Sequence, residues 1–247
     1  MGDLILVADS HLVADDPHTA AFLRFLRVEG RTAGTLILVG DIFDLWIAQE
    51  GMELPFHRVV VEAIDELRQA GVTVKYVEGN RDYFVGERYA RSLFAEVAGE
   101  CLEEHHAGHR IHVAHGDLVN VDDKQYRLWR RTSRSRPFLT AFRMLPVSLR
   151  ARLAAYLERK MRRTNLRYRI GFPAEQAETY ARQAFEQGRT PSCWDIFTRR
   201  GGWCSTPGTG APSNSSLCCP AGGRTGATYA STIPAEPDSW SSTASGL

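Results

Sequence analysis

The chain has 247 residues, of which 43% are hydrophobic and 24% charged, and its formal net charge is +1. These values are typical of one large globular domain, and the balanced charge excludes a partner selected by overall charge alone. There is no run of 18 apolar residues and no basic N-terminal region, so we expect neither a transmembrane helix nor a signal peptide. Cys101 is the only one of five cysteines before residue 190, which fits a reducing cytoplasm.

Apolar runs and amphipathic segments alternate through the first half of the chain. Runs over 4–8, 35–39, 72–77 and 110–114 predict buried strands, and helical periodicity predicts helices over 20–28, 56–70 and 88–98. This alternation indicates an α/β layered domain. Ligands of such sheets bind beyond the carboxyl ends of the strands.

Polar residues follow each of the four predicted strands. Asp9 and His11 are two residues apart, so on an extended chain their side chains point to the same side. Alone, each of these residues has an ordinary explanation as a turn, loop or hydrogen-bonded core residue. Their recurrence at four strand ends favours a divalent metal site, because carboxylate, amide oxygen and imidazole are suitable ligands. The candidate ligands are Asp9, His11, Asp41, Asn80 and His115.

Glycines stand beside three of these positions, at Gly40, Gly79 and Gly116. A glycine lets the backbone turn sharply and approach an ion closely. The other six histidines have no predicted role and are interpreted as surface or hydrogen-bonded polar residues, three of them around a predicted loop at 105–109: His18, His57, His105, His106, His109 and His112.

Four sequence blocks together resemble the calcineurin-like metallophosphoesterases. They are Asp9-Ser10-His11, Gly40-Asp41-Ile42-Phe43-Asp44, Gly79-Asn80-Arg81-Asp82 and His115-Gly116-Asp117. The resemblance implies a four-layer αββα sandwich with two divalent metals, often manganese. It implies that Asp9 and His11 hold the first metal, that Asp41 bridges, and that Asn80 and His115 hold the second. Two close cations can orient a hydroxide and stabilise charge on the attacked and leaving oxygens.

Residues 127–169 are strongly basic, with fourteen Lys or Arg and a single acid, Glu158. Two apolar stripes at helical spacing accompany the charge; they comprise Phe138, Phe142 and Leu145, then Leu149, Leu153, Tyr156, Leu157 and Met161. A solvated helical hairpin would explain the pattern, but the size of the charge excess favours an anionic partner. An anionic membrane or lipid and a nucleic acid are the two alternatives.

The block after His115 favours the lipid. His115-Gly116-Asp117 followed by Asp122-Asp123-Lys124-Gln125-Tyr126 resembles the UDP-2,3-diacylglucosamine hydrolase family of lipid A synthesis, over about residues 3–189. The resemblance implies a cytoplasmic enzyme, peripheral on the inner membrane, which hydrolyses a pyrophosphate bond to give a lipid monophosphate and UMP. It also implies a helical lid over 124–187 and substrate contacts at Asn80, Arg81, Asp123 and Tyr126, with Arg81 stabilising phosphate charge.

Two rival functions remain open. One is a phosphodiesterase acting on nucleotides or nucleic acid, and the other is a non-catalytic protein that binds anionic lipid or membrane. An apolar groove beneath the basic helices would favour a lipid substrate, whereas a continuous basic surface would favour nucleic acid.

The composition changes near residue 190. From there to residue 247, 32 of 58 residues are Gly, Pro, Ser or Thr, and Val, Met and Lys are absent. Such a segment buries little apolar surface, so we expect a disordered or poorly packed tail. The family closes its site with Gly-His-x-His, but this chain has no histidine after His115. We therefore expect that the family's C-terminal strands are lost.

A shift of reading frame would explain the missing motif. Trp194-Asp195-Ile196-Phe197-Thr198 is encoded TGG-GAY-ATH-TTY-ACN. Reading from the third base of the Trp codon allows Gly, His or Tyr, an apolar residue, then His or Tyr. Our hypothesis is a one-base frameshift near codons 186–191. We expect the chain to bind metals weakly and to have little activity, because each metal would lack one imidazole ligand.

Overall fold

The computed structural model describes residues 2–156, 174–187, 190–193 and 229–233. In these ranges the strands are β1 (Asp3–Ala8), β2 (Ala33–Val39), β3 (Trp46–Ile47), β4 (Thr73–Val77), β5 (Asp82–Tyr83), β6 (Glu96–Ala98), β7 (Cys101–His106), β8 (His109–Ala114), β9 (Thr190–Cys193) and β10 (Tyr229–Ile233). The helices are α1 (Pro17–Val28), α2 (Pro55–Gln69), α3 (Val85–Tyr89), α4 (Lys124–Ser133), α5 (Arg136–Met144), α6 (147–156) and α7 (Ala174–Glu186), with a 3-10 turn at Gly30–Thr32.

The central sheet has five strands in the order β10-β1-β2-β4-β6. Strands β1, β2, β4 and β6 run parallel, and β10 pairs with β1 in the antiparallel sense. Parallel strands end at one edge of a sheet. The residues that follow β1, β2 and β4 therefore start from neighbouring points.

A second sheet packs against the first. It has the order β7-β8-β9, and its apolar side chains meet one face of the central sheet. This inter-sheet core contains Leu4, Leu6, Ala8, Ile37, Val39, Val77, Leu102, Ile111, Val113 and Ile233. The opposite face of the central sheet packs against α1 and α2 through residues such as Val7, Leu38, Phe22 and Ile64. Burial on both faces explains why these strands are nearly uniform apolar runs.

Helix α7 supplies the fourth layer. The Tyr180 hydroxyl lies 2.7 Å from Nε2 of His112, which projects from β8 on the side away from the inter-sheet core. The described residues thus form helix, sheet, sheet and helix layers, which confirms the predicted αββα architecture.

The helices predicted over 20–28 and 56–70 correspond to α1 and α2. Helix α1 starts earlier than predicted because Asp16 caps it, accepting the backbone N–H of His18 at 2.8 Å, with Pro17 in the first turn. Helix α2 likewise has Pro55 in its first turn.

The helix predicted over 88–98 is wrong. The chain forms only the five-residue helix α3 and then the strand β6, which pairs in parallel with β4. Arg91 has a φ of 66°, a left-handed conformation that interrupts any helix. Leu93 and Phe94 are buried in the core between the central sheet and the helices α1 and α2.

The loop predicted around residues 105–109 is also shorter than expected. β7 and β8 form an antiparallel hairpin in which His106 pairs with His109. Only Ala107 and Gly108 separate the strands, with φ values of 49° and 79°. Positive φ at both central residues is typical of the tight turns that join such strands.

The basic insertion is helical in its described part, as predicted. Helices α4, α5 and α6 occupy 124–156, whereas α7, which the prediction also placed in the insertion, packs on the second sheet as the fourth layer of the sandwich. Helices α5 and α6 pack on β3 and β5 through Leu139, Phe142 and Ala154. Residues 157–173, which include Leu157 and Met161 of the predicted stripe, lie outside the described residues. None of the helices in the described ranges is long and apolar enough to cross a bilayer.

Two strands lie in the segment that was expected to be a poorly packed tail. β9 pairs in parallel with β8, and β10 pairs with β1. Ile233 is only 2% exposed and belongs to the inter-sheet core. An unpaired β1 would present a row of free N–H and C=O groups, which gives a physical reason for β10 to lie there. The rest of 190–247 lies outside the described residues, and the frameshift hypothesis remains a prediction.

Candidate metal centre

Predicted ligands from separate strands meet at the carboxyl edge of the central sheet. Ligand atoms of Asp9, His11 and Asp41 all lie within 4.8 Å of one another. His115 approaches from the second sheet, with Nε2 at 3.8 Å from Oδ1 of Asp41. Asn80 directly follows Gly79 in the loop after β4 and is 9% exposed. The structure thus gathers two carboxylates and two imidazoles, with the Asn80 loop beside them.

His115 is oriented through its second nitrogen. The side chain is completely buried, and Nδ1 lies 3.1 Å from the carbonyl oxygen of Val39. A carbonyl oxygen only accepts hydrogen bonds, so Nδ1 carries a proton, and Nε2, which faces Asp41, is the nitrogen that a metal can bind once the ring is neutral. Metal-binding histidines commonly have this arrangement.

Three of the candidate ligands have left-handed backbone conformations. The φ angles of Asp9, His11 and Asp41 are 58°, 43° and 50°. Such conformations cost on the order of 1 kcal/mol or more outside glycine, and they concentrate at functional sites. These conformations turn the backbone sharply after β1 and after β2.

The glycines beside the ligands are required because the loops touch each other. A Cβ at Gly40 would lie 2.7 Å from Cα of Gly79 and 2.7 Å from Nδ1 of His115. A Cβ at Gly79 would overlap Oδ1 of Asp41. The sequence predicted close approach of the backbone to an ion, whereas the structure shows close approach of the loops to one another.

Asp82 joins the loops that carry Asp41 and Asn80 by hydrogen bonds to their backbone. Its Oδ2 accepts the backbone N–H of Asp41 at 3.0 Å and that of Gly79 at 2.8 Å, while the N–H of Arg81 donates to Oδ1 of Asp41 at 2.8 Å. No role was predicted for Asp82. Its only signal was its place at the end of the Gly79-Asn80-Arg81-Asp82 block.

The electrostatics of the cluster favour a bound cation. Burial raises the pKa of Asp41 to about 6, and the neighbouring His115 opposes that rise. Oδ1 of Asp9, Oδ2 of Asp41 and Oδ1 of Asn80 are buried and accept no hydrogen bond from the described residues. Buried oxygens of this kind are unfavourable unless a partner compensates them. The oxygen and imidazole donor set therefore fits a hard or borderline divalent metal.

Arg81 lies next to this cluster and is 7% exposed. Its Nη1 donates to the backbone carbonyl of Asp44 at 2.9 Å and to Oδ1 of Asp44 at 3.1 Å, and its Nε lies 3.7 Å from Oδ2 of Asp41. Asp44 also lies 3.9 Å from Nδ1 of His11. Asp44 belongs to the Gly40–Asp44 block, but its role in holding Arg81 was not predicted.

Asp123 and Tyr126 lie at the start of α4, where both have partners within the protein. The Asp123 carboxylate caps the helix by accepting the N–H of Tyr126 at 2.9 Å. The Tyr126 hydroxyl donates to Asp117, and burial raises the pKa of Tyr126 well above its usual value. Their predicted contacts with substrate remain predictions.

Two histidines without a predicted role prove to be buried and hydrogen-bonded. His57 accepts the backbone N–H of Leu54 at 3.3 Å. Nδ1 of His112 lies 2.8 Å from Glu103, and its Nε2 contacts Tyr180. Both fit the interpretation as satisfied polar residues.

An apolar cleft lies beneath α5 and α6. Tyr83, which directly follows Asp82, forms part of its wall, so the cleft starts next to the loop that carries Asn80. Its lining consists of Leu45, Ile47, Tyr83, Phe84, Trp129, Phe138, Phe142 and Ala154.

Curated relatives that are similar to this chain in sequence share one name. A UDP-2,3-diacylglucosamine hydrolase of Serratia proteamaculans is 35% identical over 162 residues, which are 65% of this chain and 67% of the relative. A protein of the same name from Ralstonia nicotianae is 38% identical over 154 residues, 62% of this chain and 58% of that relative. One from Escherichia coli O81 is 35% identical over 162 residues, 65% of this chain and 67% of the relative.

No protein-family model matches the chain. A phosphoesterase of Escherichia coli with a solved structure has 22% sequence identity and a TM-score of 0.31, over 47% of this chain and 58% of that one.

Proposed function

The chain belongs to the UDP-2,3-diacylglucosamine hydrolase family. We propose that the protein, with its reading frame restored, hydrolyses the pyrophosphate bond of UDP-2,3-diacylglucosamine to a lipid monophosphate and UMP. The observation that carries this proposal is the convergence of Asp9, His11 and Asp41 at the sheet edge. Asp9 and His11 follow β1 and Asp41 follows β2. Strained backbone at these residues and close contacts between the loops hold them there.

The ligand set suits two divalent cations, for which we propose Mn²⁺. Asp9 and His11 would hold the first cation, Asp41 would be shared, and Asn80 and His115 would hold the second. When bound, such cations lower the pKa of water and stabilise charge on phosphate oxygens. Arg81 is fixed by Asp44 beside the cluster, where its guanidinium can bind a phosphate oxygen.

The apolar lining of the cleft beneath the insertion favours a lipid substrate over a nucleic acid. The cleft encloses only about 20 Å³, room for about one water molecule, so an acyl chain would enter only if α5 and α6 moved apart. Its walls are aliphatic and aromatic side chains, including Ile47, Phe84 and Phe142. Acyl chains gain about 0.8 kcal/mol for each buried CH₂ group, whereas a nucleic acid needs a continuous cationic surface. Arg130 and Arg134 of the basic segment point inward onto backbone carbonyls, so these two arginines do not contribute to such a surface.

The exposed side of the insertion supports attachment to the anionic inner-membrane surface from the cytoplasm. Leu128 and Met144 are 67% and 81% exposed, and Arg127, Arg131 and Arg136 are exposed on the same two helices. Exposed apolar residues among cationic ones are typical of helices that lie in a membrane interface.

The proposal is tested by product analysis in Mn²⁺. The chain and a version with the reading frame restored from the gene are each incubated with UDP-2,3-diacylglucosamine, with a nucleotide pyrophosphate and with DNA. We expect the frame-restored protein to release UMP and the lipid monophosphate, and the present chain to do so weakly. Asp41→Asn in the frame-restored protein serves as the inactive control.

Two results would contradict the proposal. Faster cleavage of the nucleotide pyrophosphate or DNA than of the lipid substrate would identify a nucleotide phosphodiesterase. A folded, Mn²⁺-loaded, frame-restored protein that binds the lipid without cleaving it would identify a non-catalytic lipid-binding protein.

A further inference from the structure

Two arginines of the basic insertion reach into the protein and hold the loop that carries Asn80. Arg130 is 4% exposed; its Nη1 donates to the carbonyl of Gly79 at 3.1 Å and its Nη2 to that of Glu78 at 2.9 Å. Arg134, the C-cap residue of α4, donates through Nη2 to the carbonyl of Gly79 at 2.5 Å and to that of Asp82 at 2.8 Å. Two guanidinium groups thus bind three carbonyls of one five-residue loop.

Each buried cation has a counterion. Arg130 forms an ion pair with Asp117, and both side chains are 5% exposed. The same carboxylate accepts the Tyr126 hydroxyl. Nε of Arg134 lies 3.6 Å from Glu78. Buried guanidinium groups are stable only when paired and hydrogen-bonded, so this arrangement exists only while α4 is docked on the loop.

The loop is held from the opposite side by the metal-site residues. Gly79 donates its N–H to Asp82, and Arg81 donates its N–H to Asp41. The Gly79 peptide groups are therefore fixed by the carboxylates on one side and by α4 on the other. Asn80 lies between these anchored residues, and its Oδ1 is buried.

We propose that Arg130 and Arg134 are positioning residues that hold the Glu78–Asp82 loop, so that docking of the helical insertion and cation binding at Asn80 stabilise each other. This coupling rests on the proposed metal site. Coupling of this kind is reciprocal: a docked insertion tightens cation binding, and a bound cation tightens docking of the insertion by the same factor. The outer partners of metal sites commonly change affinity roughly 10- to 100-fold.

The first test is calorimetric titration of the full chain with Mn²⁺. The double variant Asp117→Asn with Arg130→Met removes both charges of the buried pair, so that no uncompensated charge remains. We expect the Mn²⁺ affinity of the double variant at the Asn80 site to fall roughly 10- to 100-fold. Arg131→Met, an exposed position on the same helix, is the matched control and should leave affinity unchanged. Unaltered affinity in a folded double variant would overturn the proposal.

The second test is hydrogen exchange with and without Mn²⁺, using Arg134→Met in case the double variant does not fold. In the wild-type chain and in Arg131→Met, we expect Mn²⁺ to slow exchange of the α4 amides at least several-fold. In Arg134→Met this metal-dependent protection should be lost. A purely structural role would speed exchange equally with and without metal, and that result would also overturn the proposal.

The same measurement separates failure of the coupling from failure of the metal site. A frame-restored protein that binds no Mn²⁺ would contradict the proposed function. Hydrogen exchange of the Gly79 and Arg81 amides in the metal-free protein would then test whether α4 holds the loop in place. Faster exchange in Arg134→Met supports positioning by α4, and unchanged exchange refutes it.

Discussion

Asp82 lies beneath Asp41, and its Oδ2 accepts the backbone N–H of Asp41 at 3.0 Å while also accepting that of Gly79 at 2.8 Å. Asp82 is completely buried. One carboxylate therefore joins the ends of two neighbouring strands, and it fixes the backbone from which the Asp41 side chain projects.

Replacing Asp82 should destabilise the protein even without metal. In Asp82→Ala, the N–H groups of Asp41 and Gly79 lose their buried acceptor, and each such loss costs about 1–3 kcal/mol. Asp82→Asn keeps one side-chain oxygen and should lose less. Urea unfolding in EDTA measures both variants, and equal stability of the two would contradict this role.

The strand ends and their ligands were predictable because the signals are local. An apolar run that ends in a polar residue marks a buried strand followed by a loop, and β1, β2, β4 and β8 all follow this rule. Parallel order then places three of the loops at one edge. No distance between side chains had to be known to propose Asp9, Asp41 and Asn80 together.

The contacts that hold these loops could not be predicted from local sequence signals. Arg130 resembles every other arginine of a basic segment, and only the docked position of α4 reveals that it is buried against Asp117. The strand β6 fell inside the helix predicted over 88–98, because its three residues, Glu96–Ala98, are too few for an alternating strand pattern to show in the sequence. Pairing of β6 with β4, a tertiary effect, overrides that local pattern.

Close packing between the loops predicts a selective effect of alanine at glycine positions. Gly40→Ala places a Cβ 2.7 Å from Gly79 and from His115, so it should destabilise the fold by about 2 kcal/mol or more and weaken Mn²⁺ binding. Gly71→Ala is the matched control, because Gly71 also has a positive φ, of 92°, but has nothing within 4 Å of the added Cβ.

The comparison separates packing from backbone strain. Both variants place alanine at a positive φ, so strain contributes to each. Thermal unfolding with and without Mn²⁺ should show the larger loss for Gly40→Ala and a loss of metal response in that variant alone. Similar behaviour of the two variants would mean that the contact between loops is unimportant.

Cation binding should stabilise the folded chain. Oδ1 of Asp9 and Oδ2 of Asp41 are buried without a hydrogen-bond donor among the described residues, and a cation would compensate them. At a Mn²⁺ concentration of 100 times the Kd, the unfolding free energy should rise by about 2.7 kcal/mol. Asp9→Asn should lose most of this gain, and EDTA should reverse it in the wild-type chain. An unfolding midpoint insensitive to Mn²⁺ would contradict the metal site.

His57 predicts a pH dependence that is independent of the metal site. The ring is 4% exposed and contacts Phe43 and Phe56, with ring centroids 4.4 and 4.2 Å away. Burial lowers the pKa of His57 from 6.5 to about 4, and Glu53 opposes this shift. The unfolded chain therefore takes up the proton first as the pH falls below 6.5. The contribution of His57 to stability is complete above that pH and is lost between pH 6.5 and about 4.

The size of this loss follows from the shift, at about 1.4 kcal/mol for each pH unit and on the order of 3 kcal/mol in all. His57→Asn removes the titrating group but retains a side-chain oxygen that can accept the N–H of Leu54. Urea unfolding of both proteins in EDTA, at several pH values from 4 to 7, isolates the histidine because every other group is common to them. We expect the wild-type curve to fall more steeply towards low pH than the His57→Asn curve. Parallel curves would show that the His57 ring is protonated as easily in the folded chain as in the unfolded one.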